Sequence, residues 1–160
     1  MSRKAVFPGT FDPVTLGHEH IVQQACELFD EVVVAVNMRD KPRALLSAAE
    51  RLACARHCFA DQTQVKVLPL DSLLVSFLHQ NDAKFIIRSI RQSNDFDYEI
   101  QMSFMNSKLD PQIHTWCVMP ALKFMPISGT LVREIWSLGG NVEPFVSANA
   151  LAYLNEHKKS

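Results

Sequence analysis

A short stretch near the start of the chain carries the first side chains that could do chemistry. It runs from Pro8 to His18 and reads PGTFDPVTLGH, with an apolar run before it and a helical pattern after it. Backbone N–H groups at the start of a helix bind anions, and a glycine lets a ligand approach closely. His18 could add a hydrogen bond to a phosphate oxygen. An isolated Gly-His pair would more simply be a tight turn with a surface histidine, but the whole stretch is more specific and indicates a phosphate site.

Two arginines form the second candidate group. Arg88 and Arg91 follow the apolar pair Ile86-Ile87 and lie three residues apart, which suits them to phosphates that converge on one pocket. An acidic stretch, DFDYE, follows at residues 95–99 with helical spacing. The alternative is a solvated acidic turn beside surface arginines.

Two further segments add polar groups. Residues 124–130 read FMPISGT ahead of a helical pattern, and either Ser128 or Thr130 could cap that helix while its free N–H groups receive a phosphate. Simple capping is the alternative, and one turn can do both. The long polar connection Asn37–Leu46 contributes the cations Arg39, Lys41 and Arg43.

Alternating strands and helices must position these groups. Apolar runs predict five strands, and 3.6-residue periodicity with capping signals predicts six helices between and after them. This alternation predicts an α/β fold with a doubly wound five-stranded parallel sheet, in which ligands bind at the carboxyl ends of the strands. The expected strands are Lys4–Phe7, Val32–Val36, Val65–Leu68, Lys84–Ile87 and Ile113–Met119, and the expected helices are Gly17–Phe29, 47–59, Asp71–His79, Asn94–Asn106, Gly129–Leu138 and Ser147–His157.

Composition limits the class of protein. The 160 residues, of which 48% are hydrophobic and 21% charged, predict one globular domain over residues 1–160. A net charge of -1 argues against nucleic acid or anionic lipid as a partner. The apolar runs are too short to span a membrane, and the start is too short for a signal peptide. Four cysteines without framework spacing are expected to be reduced, as in a cytoplasmic protein.

The stretch from Pro8 to His18 resembles the signature of the small nucleotidyltransferases, whose Thr/His-x-Gly-His motif is shared with class I aminoacyl-tRNA synthetases. Within that group the chain is similar, over nearly its whole length, to the bacterial phosphopantetheine adenylyltransferase family. The resemblance implies a Rossmann-like fold and adenylyl transfer from ATP to 4'-phosphopantetheine, which yields 3'-dephospho-coenzyme A and pyrophosphate. It also implies Mg²⁺ with the ATP, and a homohexamer.

The resemblance implies a role for each matched residue. His18 would stabilise the transition state and Thr10 would orient the attacking phosphate. Lys41 and Arg88 would neutralise phosphate charge, Arg88 on the side of the acceptor, and Arg91 would bind the phosphates of ATP. The acceptor would be bound by Thr10, Lys41, Leu74 and Arg88. The nucleotide would be bound by Thr10, Phe11, His18, Ser89, Ile90, Arg91, Glu99, Phe124, Met125, Pro126, Ile127, Ser128, Gly129 and Thr130.

The chain departs from the family pattern at two positions. Counting back from Glu50-Arg51, the family's lysine falls on Pro42, so Lys41 is the nearest candidate, with Arg39 and Arg43 as substitutes. Ser89 replaces a family glycine. Two other functions remain open: a sister nucleotidyltransferase with another phosphorylated acceptor, such as nicotinate mononucleotide or a phospho-alcohol, and a non-catalytic nucleotide-binding module.

Two clusters are interpreted as core rather than as sites. Cys54, His57 and Cys58 lie within about one helical turn, but a zinc site needs about four ligands and no second pair accompanies them, so the two cysteines are expected to form a core face instead. The cluster of Met102, Phe104 and Met105 is likewise expected to be core, although the family places part of this helix against the pantetheine arm.

Overall fold

The computed structural model describes residues 3–157, which form a five-stranded sheet covered by helices. All four strand pairs are parallel, in the order β3-β2-β1-β4-β5. The α/β class and the parallel sheet are therefore confirmed. The strands are β1 (Lys4–Gly9), β2 (Glu31–Asn37), β3 (Val65–Leu70), β4 (Phe85–Ser89) and β5 (His114–Val118). The helices are α1 (Leu16–Leu28), α2 (Ala48–Cys58), α3 (Leu74–Gln80), α4 (Ser93–Leu109), α5 (Gly129–Ser137) and α6 (Ala148–Glu156), and a 3₁₀ turn covers Leu122–Phe124.

The apolar core lies on both faces of the sheet. β2 is buried from Val32 to Val36, as its unbroken β-branched run predicts. Because successive side chains of a strand point to opposite faces, Val32, Val34 and Val36 join the larger core cluster while Val33 and Ala35 join the smaller one beside α3. β2 therefore contributes side chains to the core on both faces of the sheet.

The order of the strands fixes where a ligand can enter. The chain builds β1, β2 and β3 outward on one side and then crosses to place β4 and β5 on the other side. β1 therefore has β2 and β4 as neighbours, and the turns after β1 and β4 leave in the cleft where the winding reverses. This is the position at which doubly wound sheets bind their ligands.

Several element boundaries differ from the prediction. The prediction ended β1 at Phe7 because Pro8-Gly9 is a turn signal, but the strand continues to Gly9 and pairs Pro8 and Gly9 with Ala35 and Val36 of β2. The strand is buried between two neighbours, and this pairing outweighs the local turn preference. The extension brings Thr10 to the sheet edge. α3 begins at Leu74 rather than at Asp71.

Helix α4 is oriented differently from the prediction. Phe104 and Met105 are each 57% exposed, and Met102 is also exposed. The prediction that these three residues belong to the core is therefore wrong. The buried residues of α4 are instead Glu99 and Asn106. Glu99 turns inward because its carboxylate pairs with an arginine of β4, and the apolar residues then face outward. Cys54 and Cys58, in contrast, are buried as predicted.

Within residues 3–157, no helix combines the length and apolar character that crossing a bilayer requires.

We expect Leu78→Ala to lower the free energy of unfolding by about 2–5 kcal/mol, because Leu78 is fully buried in the smaller core and its truncation leaves a cavity. Leu138→Ala is the matched control, since Leu138 is 82% exposed and the same truncation should change the free energy by less than about 0.5 kcal/mol. Urea denaturation of both variants measures the difference. Equal effects would contradict the described packing of α3 against the sheet.

Candidate active site

Two cavities open at the carboxyl edge of the sheet. The larger, of about 510 Å³, lies where β1 and β4 end and is within the usual size range of small-molecule sites. The smaller, of about 320 Å³, lies toward the start of α5. Residues common to both cavities are Thr10, Phe11, His18, Lys41 and Arg91. The side chains that the sequence singled out for phosphate chemistry therefore surround one continuous region.

The turn after β1 is shaped by Phe11. Its backbone has a φ of 51° and its ring is buried, edge-on to Phe7 with centroids 5.5 Å apart and to His18 with centroids 5.0 Å apart. A Cβ atom on Gly9 would lie 2.9 Å from the Phe11 ring. Glycine is required at position 9 because Phe11 folds back over it, and Phe11 in turn supports the imidazole.

His18 is oriented by the cap of α1. The Thr15 backbone N–H donates to His18 Nδ1 at 3.0 Å, while the Thr15 hydroxyl oxygen accepts the His18 backbone N–H at 3.4 Å. Because Nδ1 is an acceptor here, the proton of the neutral ring is on Nε2. The cap thus selects the tautomer that can donate a hydrogen bond to a ligand.

The charge state of His18 follows from its surroundings. Burial and, as the smaller cause, the positive charge of Arg91 together lower the pKa of His18 from 6.5 to about 4. The ring is therefore neutral near physiological pH in the ligand-free protein. A bound polyanion would offset the effect of Arg91 and raise this pKa.

Lys41 is the cation that reaches the turn after β1. Its ammonium donates to the Thr10 hydroxyl oxygen at 2.7 Å, and it lines both cavities. Arg43 lines only the smaller cavity, and Arg39 lines neither. Among the three candidates that the sequence left open, Lys41 is the one beside Thr10.

Arg88 is held by a carboxylate and a carbonyl. Its Nε and Nη2 donate to the two oxygens of Glu99, each at 2.7 Å, and Nη1 donates to the Pro8 carbonyl at 3.1 Å. This leaves one N–H on each terminal nitrogen for a ligand. The family resemblance implies that Glu99 contacts the nucleoside. Its carboxylate is committed to Arg88, an arrangement that suits it to orienting the guanidinium.

Arg91 connects α4 to the segment before α5. Its Nη1 donates to the Ile127 carbonyl at 2.9 Å, and its backbone N–H donates to the Asp95 carboxylate at 3.0 Å. Because Arg91 lines both cavities, its guanidinium lies where the larger cavity meets the smaller one.

The segment before α5 lies partly at the site. Ser128 caps α5, accepting the Leu131 N–H at 3.5 Å, and Ser128, Gly129 and Thr130 line the smaller cavity. Leu74, Ser89, Glu99 and Ile127 line the larger one. The predicted residues that line neither cavity are Ile90, Phe124, Met125 and Pro126. The ring of Phe124 packs instead against the ring of His20 on α1, with centroids 4.9 Å apart.

The sequence analysis did not assign several residues that line the cavities. Tyr98 and Asn106 lie in the larger cavity and Arg133 in the smaller. Glu99, Met102 and Asn106 lie on the same face of a helix by their spacing, so the sequence contained a signal for Asn106. Arg133 donates to the Thr130 hydroxyl, one turn earlier in α5, and to the Asp12 carbonyl, each at 3.0 Å. No spacing in the sequence indicates the contact with Asp12.

The sheet and its edge cavities have the architecture of a nucleotidyltransferase. A family model described as cytidylyltransferase-like matches residues 6–135, which contain most of β1, all of β2 to β5 and every residue that lines the two cavities. The match places the chain in the cytidylyltransferase-like class.

Comparison with individual proteins narrows the class. The phosphopantetheine adenylyltransferase of Nitrosospira multiformis is 46% identical over 143 residues, covering 89% of this chain and 87% of that protein. The enzyme of the same name from Aromatoleum aromaticum is 47% identical over 142 residues, with the same coverage. That of Thiobacillus denitrificans is 43% identical over 152 residues, covering 95% of each chain. The chain belongs to the phosphopantetheine adenylyltransferase family.

We expect the His18 imidazole to titrate with a pKa of about 4 in the ligand-free protein. In Arg91→Ala the pKa should rise but stay below 6.5, because burial is the larger cause of the shift. As pH falls below 6.5 the unfolded chain takes up this proton first, so His18 makes the fold less stable toward acid. NMR titration of the ring measures the pKa, with Arg56→Ala as the control. An unperturbed His18 in the wild-type protein would contradict the described environment.

Proposed function

We propose that this protein transfers the adenylyl group of ATP to 4'-phosphopantetheine, forming 3'-dephospho-coenzyme A and pyrophosphate. The proposal is supported by membership of the phosphopantetheine adenylyltransferase family. The structural observation that carries it is one region lined by Thr10, His18, Lys41, Arg88 and Arg91, where two polyanions can meet.

The reaction makes limited demands on the protein. The phosphate monoester of the acceptor is already an anion near neutral pH, so its oxygen can attack the α-phosphorus of ATP without a general base. Catalysis then depends on aligning the two phosphates and on stabilising the charge that develops in the transition state. A cluster of cations with one neutral hydrogen-bond donor meets these demands.

His18 supplies the neutral donor. Its Nε2–H would donate to an oxygen of the phosphoryl group under attack, where negative charge grows. The ring is held for this by the Thr15 N–H at Nδ1 and by the edge of Phe11. A donor that is fixed beforehand loses little energy to reorientation when the charge appears.

Thr10, Lys41 and Arg88 are proposed to bind the acceptor phosphate. Lys41 donates to the Thr10 oxygen, which leaves the hydroxyl proton of Thr10 to donate to the attacking phosphate. The two free N–H groups of Arg88 would bind the same phosphate from the β4 side. Arg91, between the two cavities, would bind the phosphates of ATP.

The remaining predicted residues would contact the other parts of the two substrates. Leu74 would pack against the pantetheine arm from the β3 side of the larger cavity. The nucleotide contacts of Phe11, Ser89, Ile90, Glu99 and residues 124–130 stay predictions from the family pattern. Of these, Ser128, Gly129 and Thr130 at the start of α5 have free backbone N–H groups suited to the terminal phosphates of ATP.

We also propose Mg²⁺ as the companion of ATP. When bound, the ion neutralises charge on the phosphate oxygens. The acidic side chains at the site are engaged by the protein itself: Asp12 and Asp95 accept backbone N–H groups, and Glu99 pairs with Arg88. This donor set fits an ion carried by the phosphates and water, as is usual for Mg²⁺, better than an ion held in a protein cage.

A homohexamer and a cytoplasmic location complete the proposal. Phe96, Ile100 and Phe104 are about four residues apart on α4 and about half exposed, and so large an apolar face indicates a surface that another subunit covers. All four cysteines are free thiols, as expected in a reducing compartment.

Release of pyrophosphate from ATP tests the function directly. We expect release with 4'-phosphopantetheine, and little with nicotinate mononucleotide or with phospho-alcohols, because the larger cavity continues past Leu74 toward α4 and can take an extended arm. Release with another acceptor alone would favour a sister transferase. ATP binding without any release would favour a binding module.

His18→Ala should lower kcat by about 10³-fold, the loss typical of removing one fixed donor to a transition-state oxyanion. Its fold should persist, because the substitution removes no core side chain. The matched control is His57→Ala on the exposed face of α2, which should retain wild-type turnover. Steady-state kinetics and circular dichroism measure both properties, and near-normal turnover of His18→Ala would refute its role.

In solution we expect a species of six times the 18.1 kDa protomer mass. Phe104→Glu should lower that mass, because it places a charge on the exposed apolar face of α4, whereas Arg56→Glu, a change to the same residue at an exposed position of α2, should leave it unchanged. Sedimentation velocity measures the mass of each variant. A monomeric wild-type protein would contradict the hexamer and leave the apolar face unexplained.

A further inference from the structure

The segment that carries Lys41 has no regular secondary structure. It joins β2 to α2 over residues 38–46, here called the Lys41 loop. The Lys41 side chain itself is exposed, and its hydrogen bond to Thr10 is its contact with the sheet edge. Ordering such a loop costs about 1–2 kcal/mol per residue in backbone entropy. The position of the ammonium therefore depends on whatever fixes the loop backbone.

The tip of the loop is a tight turn. The Ala44 N–H donates to the Lys41 carbonyl at 3.2 Å, with Pro42 and Arg43 between them. Pro42 has the φ that the second position of a turn needs, and Arg43 has a φ of 62°, which the third position of a type II turn requires. This turn shapes the tip but does not attach the loop to the rest of the protein.

Asp12 attaches the end of the loop that leads into α2. It is 4% exposed, and each of its carboxylate oxygens accepts one backbone N–H, from Leu45 at 2.9 Å and from Leu46 at 2.8 Å. Arg133 Nε lies 3.8 Å from Oδ2 of the same carboxylate. A buried carboxylate is costly unless it is bonded, and here its bonds go to the backbone of the loop.

Arg51 binds backbone carbonyls at both ends of the Lys41 loop. It is fully buried, and its guanidinium donates to the carbonyls of Leu46 at 3.2 Å and of Asn37 and Arg39 at 2.9 Å each. Within residues 3–157 no carboxylate lies within ion-pair distance of it, and its Nε has no partner there. A buried guanidinium without a carboxylate is unusual, and this one is used for binding loop carbonyls.

We propose that Asp12 and Arg51 are positioning residues that fix the two ends of the Lys41 loop, so that the ammonium meets Thr10 and the acceptor phosphate. Neither residue needs to touch a substrate, since both act on loop backbone atoms. Their effect on catalysis rests on the proposed function. Their effect on the order of the loop does not.

Hydrogen exchange without any ligand tests the order of the loop. In Asp12→Asn the amide nitrogen of the side chain cannot accept, so exchange at Leu45 and Leu46 should accelerate by about tenfold or more. Arg51→Lys keeps the charge but loses the planar fork, and should accelerate exchange across residues 38–46 even if Asp12→Asn does not fold. Asp97→Asn and Arg56→Lys, on exposed positions of α4 and α2, are the matched controls. Unchanged protection in both test variants would overturn the proposal.

A double-mutant cycle tests the route to catalysis. Asp12→Asn should lower kcat/KM for the acceptor by about 10- to 100-fold in the wild-type background, because displacing a phosphate-binding group by about 1 Å can cost that much. In a Lys41→Ala background it should lower kcat/KM by less than about threefold, since its effect passes through Lys41.

The two proposals fail in distinguishable ways. Equal losses in both backgrounds, in a wild-type protein that turns over, would overturn the positioning role while leaving the function intact. A wild-type protein that transfers no adenylyl group would instead refute the proposed function, and the exchange result would still decide whether Asp12 and Arg51 order the loop.

Discussion

The turn between β1 and α1 contacts three other segments of the site, namely the start of α1, the Lys41 loop and α5. Its Phe11 ring packs on Gly9 and supports His18. Its Thr10 oxygen accepts from Lys41 on the loop after β2, and Asp12 bonds both that loop and Arg133 of α5. The carbonyl of Pro8, just before the turn, accepts a hydrogen bond from Arg88 of β4. Since β1 is the central strand, this one turn sets the relative positions of groups that are far apart in the chain.

The site concentrates positive charge in a chain whose net charge is -1. Arg88 is paired with Glu99, whereas Lys41 contacts a hydroxyl and Arg91 and Arg133 bind carbonyls, so the region retains an attraction for anions. The same field, added to burial, keeps His18 neutral in the free protein. Charge therefore serves binding, while the imidazole is left as an oriented donor.

Much of this arrangement could be predicted from the sequence because it depends on local patterns. The β-branched run of β2, the capping box at the start of α2 and the motif from Thr15 to His18 each determine nearby structure. The inward face of α4 could not be predicted in this way, because Glu99 is buried by a partner on another strand. The roles of Asp12 and Arg51 depend likewise on distant backbone atoms, and the choice of Lys41 over Arg43 depends on the path of a loop.

The manner in which the Lys41 loop is attached has an evolutionary consequence. Asp12 and Arg51 bind N–H and C=O groups, which every residue type other than proline provides in full, so the side chains between the two attachment points are under little constraint from them. Residues can be gained, lost or exchanged at the tip without detaching it. A lysine one place away from the position that the family pattern predicts for it, where this chain has Pro42, can then still bring its ammonium to the same hydroxyl.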